Sequence, residues 1–193
     1  MSTPGAQGTR PFRLLLMCTA NQCRSPMAEQ FALQHLQRLH VDAEVLSCGV
    51  LEGGVPASRG SVRALAKRGI DLSAHRSRRV NAETLQQADL ILTMERRHLR
   101  SVAELQFDAM DRAFTLRELA HLSAVVGPRP RNLSPSQWIA RASSMRLPGT
   151  VLTVNTDDDI SDPMGGSRRD YRRAADEIDE TVERVLSALF PSV

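Results

Sequence analysis

Segments typical of buried strands alternate with segments typical of helices along most of this chain. Residues 12–17 form an apolar run bounded by polar turn residues, and residues 41–47, 89–94 and 113–115 predict three further strands. Because alternating strands and helices favour parallel pairing, we predict one α/β domain with about four strands in a small, twisted parallel sheet and helices on both faces. The helices are predicted over residues 26–39, 58–68, 82–87, 96–105 and 116–123, with a long closing helix over residues 171–189.

The predicted domain covers residues 12–193, and the chain of 193 residues with 41% hydrophobic residues is large enough to bury its core. Residues 1–11, rich in Gly, Pro, Ser and Thr, predict a flexible N-terminal tail. Four prolines fall within residues 123–161 and are expected to interrupt any long helix or central strand there. The chain has neither an apolar run of membrane-spanning length nor an opening that resembles a signal peptide, so we expect a cytoplasmic protein without a membrane partner.

Charge and cysteine content argue against a nucleic-acid-binding protein and against a disulfide-rich protein. The net charge of +3 comes from arginines scattered along the chain with a single lysine, and aromatic residues make up only 4%, so no nucleic-acid partner is predicted. The three cysteines, Cys18, Cys23 and Cys48, are too few and too clustered for a disulfide scaffold. We therefore expect reduced thiols, of which at least one is a candidate nucleophile.

The first strand is followed by Cys18-Thr19-Ala20-Asn21-Gln22-Cys23-Arg24-Ser25-Pro26, with Ser25 predicted as the N-cap of the next helix. A loop that enters a helix N-terminus aims several backbone N–H groups at one point, where the helix dipole also favours an anion. The same field favours the thiolate of Cys18. A phosphate or a similar oxyanion is thus predicted to bind against Thr19, Ala20, Asn21, Gln22, Cys23 and Ser25.

Three side chains of this segment predict nucleophilic chemistry. The five residues between Cys18 and Arg24 allow the guanidinium to return beside the thiolate, where its planar fork can pair two phosphate oxygens. The Ser25 hydroxyl can donate a hydrogen bond to the sulfur, which helps the thiolate form and leave. No metal ligands occur at suitable spacing, so neither a metal nor a cofactor is predicted.

This segment closely resembles the phosphate-binding loop of low-molecular-weight protein tyrosine phosphatases. Further motifs follow in the family's order: residues 47–49, 69–78 and 88–94, and the run Asp162-Pro163-Met164-Gly165-Gly166. The resemblance implies hydrolysis of phosphate monoesters, above all protein phosphotyrosine, through a cysteinyl-phosphate intermediate on Cys18. It assigns Asp162 as the general acid and then the base, and it assigns Asn21, Ser47 and His75 as residues that support the loop by hydrogen bonds.

Several positions depart from the family pattern. Ala20 stands where glycine is common, Met164 replaces a common aromatic residue, and residues 51–55 lack the aromatic that often flanks the cleft. Gln22 matches neither the threonine of phosphoarginine phosphatases nor the aliphatic residue of tyrosine-specific members. The choice between phosphotyrosine and phosphoarginine in a protein or peptide substrate therefore stays open. In addition, the segment of residues 104–155 is longer than the corresponding segment of the smaller family members.

Two other functions remain as alternatives. Thioredoxin-coupled arsenate reductases resemble this fold and loop, but they need a further cysteine pair downstream, and no cysteine follows Cys48. A phosphate-binding module without turnover is the second alternative.

The roles of several other residues are also predicted. Cys23 is either a core residue or a partner that traps oxidised Cys18 as a disulfide. Residues 157–159 are predicted to form a solvated acidic loop, and Trp138 and Tyr171 to be packing residues.

Overall fold

The computed structural model describes residues 10–146 and 156–192 and contains one four-stranded sheet in the order β2-β1-β3-β4. All three pairings are parallel, which confirms the predicted fold class. The second strand begins and ends two residues later than predicted, because its pairing with the first strand continues to Gly49 opposite Cys18. The strands are β1 (Phe12–Cys18), β2 (Ala43–Gly49), β3 (Leu90–Thr93) and β4 (Ala113–Thr115).

Helices cover both faces of the sheet, as alternating side chains of β1 show. Leu14 and Leu16 belong to one buried cluster, and Leu15 and Met17 belong to a second cluster on the opposite face. A 3₁₀ helix spans Phe107–Arg112. The α-helices are α1 (Arg24–Arg38), α2 (Arg59–Ala66), α3 (Ala82–Gln87), α4 (Arg96–Leu105), α5 (Leu116–Val126), α6 (Pro135–Ser144) and α7 (Arg168–Leu189).

Helix α6 is a ten-residue helix that was not predicted, in the segment whose prolines were expected to interrupt any long helix. Pro135 is the first residue of the helix, where its missing N–H breaks no hydrogen bond. Ser134 and Gln137 form a capping box around it. Trp138 is fully buried as the anchor of this helix, and its indole N–H donates to the carbonyl of Gly127 at 3.0 Å.

The carboxyl ends of the parallel strands meet at one edge of the sheet. Cys18 ends β1 opposite Gly49 of β2, and Met17 pairs with Thr93 at the end of β3. Residues that follow these strands are thereby brought together. Of the predicted N-terminal tail, residues 1–9 lie outside the described residues, and Arg10 forms an ion pair with Asp89. No helix in the described residues is long and apolar enough to cross a bilayer.

Candidate active site

The turn from β1 into α1, here called the Cys18 loop (residues 18–24), leads directly into a helix N-terminus. Helix α1 begins at Arg24 after Cys23, with neither a side-chain cap nor an acidic residue in its first turn. The prediction of Ser25 as N-cap was therefore wrong, because Ser25 lies inside the first turn and its hydroxyl bonds elsewhere. The unsatisfied N–H groups and the positive end of the helix dipole remain available to an anion.

Cys18 lies at the base of this loop with 2% of its surface exposed. Its Sγ accepts hydrogen bonds from the backbone N–H of Asn21 at 3.2 Å and from the Ser25 hydroxyl at 3.1 Å. Bonds donated to sulfur stabilise its negative charge. The geometry suits a cysteine nucleophile whose sulfur gains and loses negative charge during a reaction.

Asn21 determines the path of the loop. Its φ of 51° is in the left-handed region, which asparagine tolerates better than most residues. Its side-chain amide donates to Ser25 Oγ at 2.9 Å and to Ser47 Oγ at 2.8 Å, and its Oδ1 accepts from the backbone N–H of Arg78 at 2.8 Å. A fully bonded buried amide of this kind locks the loop conformation.

Two further residues hold the loop from β2 and from the segment after α2. Ser47 accepts from Asn21 and donates its hydroxyl hydrogen to Glu29. His75 is half-buried, and its Nε2 donates to the backbone carbonyl of Asn21 at 2.7 Å. The structure thus places both predicted supporting residues in contact with the loop.

The loop passes very close to the end of β2. A Cβ at Gly49 would lie 2.7 Å from the backbone N of Asn21 and 2.8 Å from the carbonyl oxygen of Thr19, so only glycine fits there. Ala20 is not among the residues with positive φ. Its backbone conformation is one that alanine tolerates, and its presence in place of a glycine adds no strain.

Arg24 is 99% buried and reaches across the site instead of lying free beside Cys18. Its Nη1 donates to a carboxylate oxygen of Glu95 and, at 2.8 Å, to the carbonyl of Ile160, while its Nη2 donates to Asp162 Oδ2 at 2.8 Å. Its Nε is buried and has no hydrogen-bond partner among the described residues. Because Nε and Nη2 form one edge of the guanidinium, an oxyanion on that edge would satisfy the Nε donor.

Asp162 is more exposed than Cys18 and Arg24, with 41% of its side chain accessible to solvent. Its Oδ1 accepts from the backbone N–H of Met164 at 3.1 Å, which orients the carboxylate toward Arg24. A carboxylate that is both oriented and accessible to solvent can exchange protons with a substrate and with water.

The acidic residues just before Asp162 are not simply solvated, so that prediction was wrong for two of the three. Asp158 forms an ion pair with Arg96 at 2.5 Å, and Asp159 accepts from the backbone N–H of Arg96 at 2.7 Å. Burial raises the pKa of Asp159, and the bond from Arg96 partly offsets this shift. The two side chains anchor the segment that carries Asp162 to the start of α4.

Glu95 was missed by the sequence reasoning. It is the N-cap of α4 just beyond the end of β3, and it pairs with both Arg24 and Arg97. Burial alone would raise the pKa of Glu95, but the hydrogen bond from Arg97 and the charge of Arg24 lower it on balance. One sequence signal could have identified Glu95: it follows a predicted strand, and the carboxyl ends of parallel strands, including the strand that ends at Cys18, meet at one edge of the sheet.

His98 was also missed, and it connects α4 to the Cys18 loop. Its Nδ1 accepts from the backbone N–H of Glu95 at 3.2 Å, so Nε2 carries the hydrogen and donates to Thr19 Oγ1 at 3.0 Å. Burial lowers the pKa of His98 to about 4. The imidazole is therefore neutral in the folded protein at neutral pH.

We expect His98 to make the fold sensitive to mild acid. The folded pKa lies below the usual value of about 6.5, so the unfolded chain binds more protons between pH 4 and 6.5, and stability falls as pH drops through that window. The expected loss is roughly 3 kcal/mol. Urea unfolding from pH 7 to pH 4 measures it. In His98→Asn, which keeps an acceptor for the Glu95 N–H, the pH dependence should be flatter; an equally steep dependence would assign it to other groups.

The other two cysteines have different surroundings. Cys23 Sγ donates to Ser58 Oγ at 3.2 Å and lies 3.9 Å from both Met164 Sδ and the Tyr171 hydroxyl. Burial raises the pKa of the Cys23 thiol and that of the Cys48 thiol. All three cysteines are free thiols here.

Thr19, Ala20 and Gln22 complete the loop. Their side chains are half-buried, and the carbonyl of Gln22 accepts from the backbone N–H of Ser58 at 2.8 Å.

The described residues contain no group of three or more His, Cys, Asp or Glu side chains that could hold a metal ion. The structure thus brings together a thiol nucleophile, a guanidinium and a carboxylate at a helix N-terminus, a combination suited to phosphoryl transfer.

Comparison with known proteins gives a consistent result. Residues 13–126 match the family model described as low molecular weight phosphotyrosine protein phosphatase. A protein-arginine-phosphatase from Geobacillus stearothermophilus is 31% identical over 180 residues, which cover 93% of this chain and 97% of that protein.

Two solved structures share the fold over most of their length. A low molecular weight protein tyrosine phosphatase from T. tengcongensis has 30% identity and a TM-score of 0.68, covering 91% of this chain and 98% of the other. A cysteine-to-serine mutant of the YwlE arginine phosphatase, with a phosphorylated active-site serine, has 26% identity and the same TM-score of 0.68. It covers 90% of this chain and 93% of the other.

Proposed function

Since this chain belongs to the low molecular weight phosphotyrosine protein phosphatase family, we propose that it hydrolyses phosphotyrosine in proteins through a covalent intermediate on Cys18. Two observations carry this proposal: Arg24, at the end of the Cys18 loop, contacts Asp162, and the Cys18 sulfur at the base of the same loop accepts two hydrogen bonds. Nucleophile, phosphate-binding cation and proton donor then share one site.

In the first step the Cys18 thiolate attacks phosphorus. The P–S bond forms as the P–O bond to the tyrosine breaks, and the protonated carboxyl of Asp162 gives its proton to the departing oxygen. Backbone N–H groups of the Cys18 loop and the α1 dipole stabilise the charge on the equatorial oxygens. No metal ion takes part in this step.

In the second step water attacks the cysteinyl phosphate. Asp162, now a carboxylate, accepts a proton from the water as the new P–O bond forms and the P–S bond breaks. The hydroxyl of Ser25, 3.1 Å from Sγ, stabilises the sulfur as it leaves as a thiolate. The cycle ends with inorganic phosphate and the original protonation states.

Arg24 is proposed to hold the phosphate through the edge formed by its Nε and Nη2. Nη1 is already bonded to Glu95 and Ile160, which fixes the plane of the guanidinium. Nη2 carries two N–H groups and bonds Asp162 with one of them, so the other can hold a phosphate oxygen. Bound phosphate and the Asp162 carboxyl would thus meet at one guanidinium.

A phosphorylated active-site serine in the related YwlE mutant supports covalent transfer of phosphate to the nucleophile position. Arsenate reduction, which needs further cysteines, is therefore the less supported function for this site.

The cytoplasmic location stays a prediction. We further propose that the catalytic domain spans residues 12–193 and that residues 104–155 extend the fold relative to smaller members.

Phosphoarginine is the second candidate substrate. It is favoured by the 31% identical protein-arginine-phosphatase, which aligns over 93% of this chain. The side chains of Leu51 and Met164, one beside the loop and one after Asp162, are exposed and aliphatic. They offer no aromatic ring to stack on a phenyl group, and a phosphorylated guanidinium needs none.

Matched peptides that carry phosphotyrosine or phosphoarginine at the same position separate the two candidates. We expect phosphate release from at least one of them under reducing conditions with a chelator present. Higher kcat/KM for the tyrosine peptide supports the first proposal, and higher kcat/KM for the arginine peptide replaces it by the second. Tight binding of both peptides without release contradicts catalysis and supports a binding module.

A further inference from the structure

A basic groove outside the Cys18 loop lies between α2 and the first turns of α7. Its volume is about 590 Å³. Asp176 is the single acidic residue that lines it, and the salt bridge to Arg68 already neutralises its charge. The basic residues that line the groove are Arg63, Lys67, Arg68, Arg168, Arg169 and Arg172.

Most of this positive charge is not matched within the protein. Among the described residues, no carboxylate forms a salt bridge with Arg63, Lys67 or any of the three arginines of α7 that line the groove. The positive end of the α7 dipole also lies there, and the carboxylate of Asp170, which caps this helix end and interacts with the charge of Arg169, offsets part of the potential. A concentration of like charge in a concave surface attracts ligands of opposite charge and orients them before contact.

The groove is connected to the candidate active site by Tyr171. The ring of Tyr171 packs where a Cβ of Gly60 would lie, only 2.3 Å from the nearest ring atom, which explains the glycine on α2. Its hydroxyl lies 3.9 Å from Cys23 Sγ in the Cys18 loop. One side chain therefore lines the groove and contacts the loop.

This geometry sets the distance that a bound chain must cover. An extended peptide advances about 3.3 Å per residue, and a single tyrosine side chain separates the Cys18 loop from the groove, so a bound chain needs only a few residues to pass from one to the other. The lining of the groove combines arginines and a lysine, which have long flexible stems, with small residues such as Gly60 and Ala64. Such a surface suits aspartate and glutamate side chains of a substrate.

We propose that the groove between α2 and α7 docks an acidic segment that flanks the phosphorylated residue of a protein substrate. The proposal rests on the phosphatase function, and it adds a specificity that the loop itself does not provide. Acidic flanks lower KM because the arginines bind them, while kcat stays unchanged because no groove residue touches the phosphate.

The test compares phosphopeptides that are identical except for acidic, neutral or basic residues three to five positions from the phosphorylated residue. We expect kcat/KM to be about 3- to 10-fold higher for the acidic peptide than for the neutral one, with the difference shrinking at high salt. Arg168→Glu combined with Arg169→Glu should remove or reverse this preference. Acidic residues in the first turn of α7 favour the helix dipole, so this variant is expected to fold.

The matched control is Arg131→Glu combined with Arg141→Glu, which makes the same charge change at exposed positions outside the groove. It should keep the preference for acidic peptides. Equal kcat/KM for all three peptides, or equal loss in both variants, would overturn the docking proposal. Turnover of a small aryl phosphate should be the same in the groove variant and in the wild type, which separates failure of docking from failure of the phosphatase function.

A second measurement does not depend on catalysis. Fluorescence anisotropy of the labelled acidic peptide without its phosphate should show binding to the wild type and to the control variant, and at least threefold weaker binding to the groove variant. Equal binding to all three proteins contradicts the proposal. Preferential binding of a duplex oligonucleotide over the acidic peptide would also overturn it, because the groove would then serve a nucleic acid.

Discussion

Replacement of Cys18 by serine is expected to reduce phosphate release by roughly 10⁴-fold or more. A serine hydroxyl is protonated at neutral pH, so the helix N-terminus and the bonds from Asn21 and Ser25 have no anion to stabilise. The variant should still bind phosphate, because the backbone N–H groups and Arg24 are unchanged. Steady-state turnover measures the first effect, and the rise in melting temperature with added phosphate measures the second.

Cys48→Ala is the control for this experiment. The Cys48 thiol is buried in the cluster on the opposite face of the sheet, and only its backbone carbonyl contacts Ser25. It should retain most of the activity with a modest loss of stability. If Cys18→Ser retained turnover, or if Cys48→Ala abolished it in a folded protein, Cys18 would not be the nucleophile.

Asp162→Asn is expected to lower kcat by about 10²- to 10⁴-fold on a substrate with a poor leaving group. Asparagine keeps one oxygen for the Met164 N–H, but an NH2 group replaces the oxygen that accepts from Arg24, so the change removes proton transfer and also weakens the contact with Arg24. On an activated aryl phosphate, whose leaving group needs no proton, the loss in the first step should be much smaller. Kinetics with a series of aryl phosphates of increasing leaving-group pKa measures the difference.

The matched control for Asp162→Asn is Asp111→Asn, an exposed aspartate in the 3₁₀ helix outside the site. It should leave kcat unchanged for every leaving group. A loss in Asp162→Asn that did not vary with the leaving group would indicate that Asp162 positions Arg24 and does not transfer the proton.

The sequence by itself determined the fold class because the relevant signals are local. Apolar runs of strand length and helical spacing of buried residues do not depend on distant contacts, and all four strands lie within two residues of their predicted bounds. The Cys18 loop was also recognisable locally, because a strand, a short polar turn and a helix follow one another directly. Helix α6 could also have been predicted locally, because Ser134, Pro135 and Gln137 form a helix start. It was not predicted, because the prolines of that segment were interpreted only as residues that interrupt helices.

The tertiary structure alone decided which distant residues complete the site and the groove. Glu95 meets Arg24 across 71 positions of sequence because β1 and β3 end at the same edge of the sheet. Arg68 meets Asp179 across 111 positions because α7 packs against α2, and this packing builds the basic groove. Pattern and composition describe neighbours along the chain, whereas ion pairs and hydrogen bonds of this range depend on how the sheet is ordered and how the helices pack on it.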